Sequence, residues 1–292
     1  GGIWLIDPFK MTCEQLPLTI PDNTISIKKT FMVDESKLAL THNKGLIIYD
    51  LNEKEVTDRH VTDVFANQEV HCVRGTSKNG LIIGMFKEGV AIQQKSGFEF
   101  TSVTTDSNRI SLKGSDVTGF AQSDDSTIWI TTRHKGLFRY DLEGSRLERR
   151  NLNPISKSLE GIVYYRHDLW MLSPDGIYRY NPEKRAIRAY REGVGKHSEL
   201  VASGNERLLV ESEGRLLQYD DDSDSFIPAN DFKDMKILGT GVSHTNELVV
   251  MTEQKGIIRW DGYEVIVSTS HKNSIPHVHP WSGVLYEDDR SR

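Results

Sequence analysis

A short pattern returns six times along the chain, and this recurrence restricts the fold more than any other feature. Residues 128–141 read IWITTRHKGLFRYD, 169–181 read LWMLSPDGIYRYN, 248–261 read LVVMTEQKGIIRWD and 38–50 read LALTHNKGLIIYD. Two looser copies are 81–94, LIIGMFKEGVAIQQ, and 208–220, LLVESEGRLLQYD. Their last residues fall at 50, 94, 141, 181, 220 and 261, in steps of 44, 47, 40, 39 and 41. A period of about 40–45 residues is the span of one four-stranded propeller blade.

Each copy has the internal grammar of a hairpin. It opens on an apolar run such as Ile128-Trp129-Ile130, the signature of a strand covered on both faces. A polar turn then reaches a glycine, Gly45, Gly89, Gly136, Gly176 or Gly256, with Gly214 one place early; a tight hairpin needs positive φ there. The second run ends in Tyr-Asp, Tyr-Asn or Trp-Asp in most copies, and turn residues lead on to a more polar outer strand. An inner strand is expected before each copy, at 117–122, 161–166, 200–204 and 237–243. Eight alanines against 23 glycines fit this reading and leave little for helix.

The ends supply one more blade. Residues 3–6, IWLI, resemble the opening strand of a copy without an inner strand before them, and 283–288, GVLYED, resemble an inner strand with nothing after it. The expectation is an all-β, seven-bladed β-propeller forming a single domain over residues 1–292. Six blades end near Asp50, Gln94, Asp141, Asn181, Asp220 and Asp261. The remaining blade is shared by residues 3–20 and 283–288, so that the C-terminal strand completes the first blade and hides two sheet edges.

The string IWITTRHKGLFRYD, with VTGFAQSDDST before it, resembles the two-component regulator propeller repeat of bacterial sensor proteins, as do LWMLSPDGIYRYN and LALTHNKGLIIYD. The resemblance implies the periplasmic or extracellular sensing region of a hybrid two-component protein or histidine kinase receptor. It also implies a small polar ligand or saccharide as the molecule read, a parent receptor or a homodimer as macromolecular partner, and contact with a membrane only through a parent chain. A protein-interaction scaffold and a propeller lyase or glycan-processing enzyme are the alternatives.

Charge and motifs narrow the chemistry. With 36 basic and 42 acidic side chains and a net charge of −6, the chain has no global basic footprint for nucleic acid, which is not expected as a partner. Cys13 and Cys72 are the only cysteines and carry no CxxC spacing. There is no GxSxG and no HExxH, so no catalytic residue is assigned, and no cofactor or metal is expected. Gly193-Val194-Gly195-Lys196 lacks the first glycine and the Ser/Thr of a phosphate loop. Asp220, Asp222 and Asp224 lack the glycine and glutamate of a calcium loop and read as a hairpin turn. Trp4, Trp129 and Trp170 share one repeat position, which makes them packing residues.

Function is sought where the copies differ. Turns between the second and third strands of all blades open on one face, together with the links between blades. Lys44, Arg133, His134, Lys135, Asp175 and Lys255 occupy such turns and are the candidate ligand-binding residues. A solvated charged rim is the plain alternative for the same residues. Trp281, within the link SHKNSIPHVHPWSG at 270–283, has no counterpart in other copies and joins the candidates as an aromatic for a sugar ring, or else as a packing residue. His277 and His279 fall on one side of an extended strand, but no third metal ligand accompanies them.

Overall fold

Strands, joined by tight turns, make up nearly all of the regular structure. The computed structural model describes residues 4–7, 12–16, 27–33, 36–57, 65–75, 80–93, 100–103, 110–152, 157–191, 198–203, 207–242, 248–253, 255–260 and 265–268. β1 (Trp4–Asp7) and β2 (Thr12–Gln15) form a two-stranded antiparallel sheet. Blade one holds β3 (Ile27–Met32), β4 (Lys37–His42), β5 (Gly45–Asp50) and β6 (Glu55–Thr57). Blade two holds β7 (Val70–Gly75), β8 (Leu81–Met85), β9 (Gly89–Gln93) and β10 (Phe100–Val103), and blade three holds β11 (Val117–Gln122), β12 (Thr127–Thr132), β13 (Gly136–Asp141) and β14 (Arg146–Arg150). Blade four comprises β15 (Gly161–Tyr165), β16 (Asp168–Ser173), β17 (Gly176–Asn181) and β18 (Ala186–Tyr190). Blade five comprises β19 (Ser198–Ser203), β20 (Arg207–Ser212), β21 (Arg215–Asp220) and β22 (Ser225–Pro228). Blade six comprises β23 (Ile237–Val242), β24 (Leu248–Thr252), β25 (Gly256–Trp260) and β26 (Val265–Ser268). In all six sheets spatial order follows chain order, the meander of a propeller blade.

The expected inner strands are present as β11, β15, β19 and β23. Of the seven expected blades, six are described. The described residues build six four-stranded blades, and β1–β2 remains two strands short of a seventh. The closing strand assigned to residues 283–288 lies outside the described residues.

Two compact units are formed. One comprises Thr19–Pro174 and Tyr178–Arg188, the other Gly1–Leu18, Asp175–Ile177 and Ala189–Arg292. In the first, the inner strands β3, β7, β11 and β15 lie side by side. Strand periodicity then explains why the second strand of a blade is apolar throughout. Successive side chains of β12 point to opposite faces. Ile128 and Ile130 enter a core shared with Ile82, Val90 and Cys72 of blade two, whereas Trp129 enters a core shared with Met171 and Tyr180 of blade four. Likewise Ile82 of β8 faces blade three, while Leu81, Ile83 and Met85 pack on Ala39 and Ile48 of blade one. Each face of the strand belongs to a different core, and all six residues of β12 are buried. Outer strands have one such neighbour at most, and β14 and β18 carry exposed charges. In the second unit β19 packs on β23, and Leu209, Val250, Ile258, Phe232 and Trp260 share one core.

Local chemistry sets the turns. Glycines 45, 89, 136, 176, 214 and 256 all have positive φ. At Gly176 (φ 142°) a Cβ would also stand 2.5 Å from the Tyr190 carbonyl oxygen, which excludes any side chain. In blades one, three, four and five the Asp or Asn that ends the third strand caps the following hairpin. Asp50 Oδ1 accepts from the Asn52 N–H at 2.7 Å, Asp141 Oδ1 from Glu143 at 3.0 Å, Asn181 Oδ1 from Lys184 at 2.8 Å and Asp220 Oδ2 from Ser223 at 2.9 Å. The contacts of Asp50 and Asp141, two residues on, are Asx-turns, those of Asn181 and Asp220 reach three residues on, and in all four hairpins the residue four places on, Lys54, Ser145, Arg185 or Asp224, takes a left-handed conformation. The Asp220–Asp224 stretch is thus the expected hairpin, and Asp224 Oδ1 accepts from the hydroxyls of Tyr190 and Tyr219, each at 2.7 Å. Trp129 and Trp170 are buried at 3% and 1% exposure, as their packing role requires. The side chain of Trp4 lies outside the described residues.

Candidate functional site

One end of each blade is where the second-to-third turn meets the link entering the inner strand. The first residue of the turn donates its N–H to the last residue of that link: Phe86 to the Glu69 carbonyl at 2.8 Å, Arg133 to Asp116 at 2.9 Å, Glu253 to Lys236 at 3.0 Å. Turn carbonyls accept from the next blade's link, Lys44 from Asn67 at 2.7 Å and Lys87 from Gly114 at 2.8 Å. Inner strands begin with a register shift in blades one, two, three and six, between Ile27/Lys29, Val70/Cys72, Val117/Gly119 and Ile237/Gly239. Such bulges re-aim side chains where pairing begins. The common loop face expected from the repeat is therefore built, within each unit, by backbone hydrogen bonds.

Three candidate lysines occupy one position, immediately before the turn glycine. The Lys44 N–H donates to His42 Nδ1 at 3.1 Å, and those of Lys135 and Lys255 donate to Thr132 Oγ1 and Thr252 Oγ1 at 3.1 and 3.0 Å. Burial first, and the Lys44 ammonium second, hold the His42 imidazole below its ordinary pKa, so it serves as a neutral acceptor. Lys44, Arg133, His134 and Lys135 lie in the first unit, Asp175 and Lys255 in the second. Trp281, His277 and His279 lie outside the described residues, as do residues 193–196.

Blade three brings its own candidates together around a residue the sequence reading did not single out. Asp116, the last residue before β11, has a side chain only 5% exposed. Its Oδ2 lies 3.9 Å from Arg133 Nη1 and 3.9 Å from His134 Nε2, beyond hydrogen-bond length. Its Oδ1 is buried with no hydrogen-bond partner, and so is the Oγ of the preceding Ser115. Arg133 and His134 are themselves 48% and 61% exposed. Lys135 Nζ ties down the link by donating to the carbonyl oxygens of Ser111, at 3.0 Å, and Lys113. Arg149 Nε holds the turn from behind through the Lys135 carbonyl at 2.9 Å.

The equivalent pair in blade six carries the opposite charges. Lys236 Nζ lies 3.2 Å from Glu253 Oε2, with both side chains well exposed at 59% and 57%. Blade six thus solvates its pair, whereas blade three buries the acid and leaves Arg133 and His134 outside. In blade two the same level holds Glu69, His71 and Phe86: His71 Nε2 is 3.4 Å from Glu69 Oε1, its ring is 5.4 Å from that of Phe86, and Lys87 Nζ sits 4.6 Å over the Phe86 ring. Phe86 is a partly exposed aromatic of the kind sought in Trp281; the signal for it was its place at the first turn position, where blade three has Arg133. Among the described residues no group of three His, Cys, Asp or Glu is placed to hold a metal ion.

No family model and no curated protein sequence matches the chain. Among solved structures it is similar to the extracellular domain of the putative hybrid two-component system BT3049 from B. thetaiotaomicron, with TM-score 0.62, 14% identity, and coverage of 80% of this chain and 33% of that one. The corresponding domain of BT4673 from the same organism gives TM-score 0.62, 17% identity, and 87% and 34% coverage. Virginiamycin B lyase from Staphylococcus aureus gives TM-score 0.63, 13% identity, and 83% coverage of both chains. The chain spans about a third of the length of the two-component domains it resembles. At these identities the shared property is the fold, an all-β β-propeller.

Proposed function

We propose that this chain is the extracytoplasmic sensing propeller of a bacterial signalling receptor, and that it binds a small polar or saccharide ligand on its loop face. The observation that carries the reading is the blade-three rim, where exposed Arg133 and His134 converge on buried Asp116 while Ser115 Oγ and Asp116 Oδ1 lack partners. Unpartnered buried polar atoms occur elsewhere among the described residues, Thr240 Oγ1 and Trp260 Nε1 of blade six among them, but at blade three two adjacent ones lie beside exposed Arg and His side chains. Fold likeness to extracellular domains of hybrid two-component systems supports the sensing role. Packed blades deform little, so a bound ligand acts by changing how whole blades orient or associate with the rest of a receptor. A calorimetric screen of small polar compounds and saccharides tests the proposal: saturable heat is expected, and its absence across the screen removes the ligand-sensing reading.

A propeller lyase or glycan-processing enzyme is the second reading, favoured by His134 Nε2 standing 3.9 Å from a buried carboxylate and by the fold shared with virginiamycin B lyase. Any turnover found in a glycan panel that survives His134→Ala rejects it. We also infer that β1 and β2 are the middle of a seventh blade completed by residues 283–288. Deleting 283–292 should then lower the urea midpoint, and an unchanged midpoint would remove this closure.

A further inference from the structure

Arg133 and His134 present hydrogen-bonding groups that nothing in the described protein uses. Neither side chain makes a hydrogen bond among the described residues, and the only carboxylate oxygen within 4.0 Å of either there is the shared Asp116 Oδ2, 3.9 Å from each. A guanidinium carries five N–H donors in a fixed fork suited to paired oxygens. Because Arg133 Nη1 and His134 Nε2 lie equally far from one oxygen atom, they are separated by no more than twice that distance. Two oxygens of a single carboxylate or sulfate, each accepting at about 2.7–2.9 Å, can span such a gap. Local charge has the same sign. Among the described residues of this turn and its link, Arg133, Lys135 and Lys113 stand against the carboxylate of Asp116, with Arg149 of β14 bonded to the turn, in a chain whose net charge is −6. The backbone of the site is fixed on three sides: Lys135 Nζ holds Ser111 and Lys113, Gly114 is bonded to Lys87, and Arg133 to Asp116. The backbone that carries the two donor side chains is therefore set before a ligand group arrives, which lowers the cost of binding.

We infer that the ligand sensed at the blade-three rim carries an anionic group, a carboxylate or a sulfate, and that Arg133 and His134 receive it. The inference rests on the ligand-sensing reading and adds the charge class of the ligand. It also separates blade three from blade six, where the equivalent Lys236–Glu253 pair is already closed at 3.2 Å and has no unused cation to offer.

The test uses the intact chain and, in titration calorimetry, two pairs of probes that differ within each pair in a single anionic group: D-galacturonate against D-galactose, and N-acetylglucosamine 6-sulfate against N-acetylglucosamine. At least one anionic probe is expected to bind about tenfold or more tightly than its neutral partner, since a charge-assisted contact is at stake, and to weaken as NaCl is raised. Arg133→Gln should abolish that preference while leaving the melting temperature unchanged, because the side chain is exposed, and Glu253→Gln should leave the preference intact. If the carboxylate binds and the sulfate does not, or the reverse, the anion is identified. Equal affinity for charged and neutral partners, or an undiminished preference in Arg133→Gln, overturns the inference while the sensing reading stands. Failure of all four probes overturns the inference, and the broader screen then decides the reading beneath it.

Discussion

Blades two and three meet across Gly84, and a methyl group placed there measures how tightly they are locked. Gly84 pairs with Cys72 in the β7–β8 register, and the Cys72 thiol donates to the Val117 carbonyl of the next blade at 3.7 Å. A Cβ at position 84 would stand 2.6 Å from Cys72 Sγ, 2.6 Å from Val117 Cγ1 and 3.0 Å from Val117 Cβ. Ordinary carbon contacts lie near 3.5–4.0 Å, so two neighbours must each give by roughly 1 Å. Neither is the free end of a flexible chain: Cys72 is 4% exposed and Val117 fully buried, both on paired strands. Overpacking costs about 1–3 kcal/mol, and obstruction from two directions puts Gly84→Ala near the upper figure, about 3 kcal/mol. Val117→Ala alone loses two methyl groups and leaves a small cavity, at about 2 kcal/mol. That same loss removes the Cγ1 obstruction, so the double variant should cost about 3 rather than about 5 kcal/mol, a coupling of about 2 kcal/mol. Urea unfolding of the four chains gives the cycle, read from midpoints at constant m. Additivity within about 0.5 kcal/mol, or a Gly84→Ala cost below that figure, would refute the interlocked packing described for this pair of blades.

Other substitutions and conditions probe the turns and the core. Because burial and Lys44 lower the His42 pKa in the folded chain, the unfolded chain takes up that proton first; the contribution to stability is full above about pH 6.5 and is lost as pH falls through the folded value. His42→Asn retains an acceptor for the Lys44 N–H, so its urea midpoint should fall less than that of the wild type between about pH 7.5 and pH 5, and equal falls would contradict the assignment. Burial pushes the Cys72 thiol up to about 12; in a Cys13→Ser background it should resist thiol reagents at about pH 8 until urea unfolds the chain, and labelling independent of urea would count against a buried site. At the third-strand caps, Asp141→Ala should cost about 1 kcal/mol by losing the Glu143 N–H acceptor, whereas Asp141→Asn should cost much less, as Asn181 already fills the equivalent place. Equal losses for the two variants would show that charge, and not the Asx-turn, holds this hairpin.

What could be read from the sequence was whatever recurs locally. The apolar run of β12, the turn glycines and the terminal Asp or Asn each act through neighbours within a few residues, so each copy displays the same requirement. The bulges that open four inner strands were not legible, because one extra residue at the start of a strand changes neither its apolar content nor its period appreciably. The blade count was read from chain ends whose decisive residues, 283–288, lie outside the described structure. Asp116 was missed for a different reason: it lies 17 residues before Arg133 and belongs to no copy of the repeat as first written. Yet Lys236 precedes Glu253 by the same 17 residues, and both pairs are joined by the same backbone hydrogen bond. Aligning blades three and six on that spacing exposes the charge reversal without coordinates. The reversal by itself is neutral with respect to architecture, since either order places opposite charges at one point of the loop face. Burial is not neutral. Blade six keeps both partners in solvent, where such a pair costs little and contributes little, whereas blade three encloses a carboxylate with one oxygen unpartnered and leaves Arg133 and His134 largely exposed. Local rules of polar satisfaction are broken mainly where function requires it, and it is this departure, more than the presence of charge on the rim, on which the proposal of ligand binding at blade three rests.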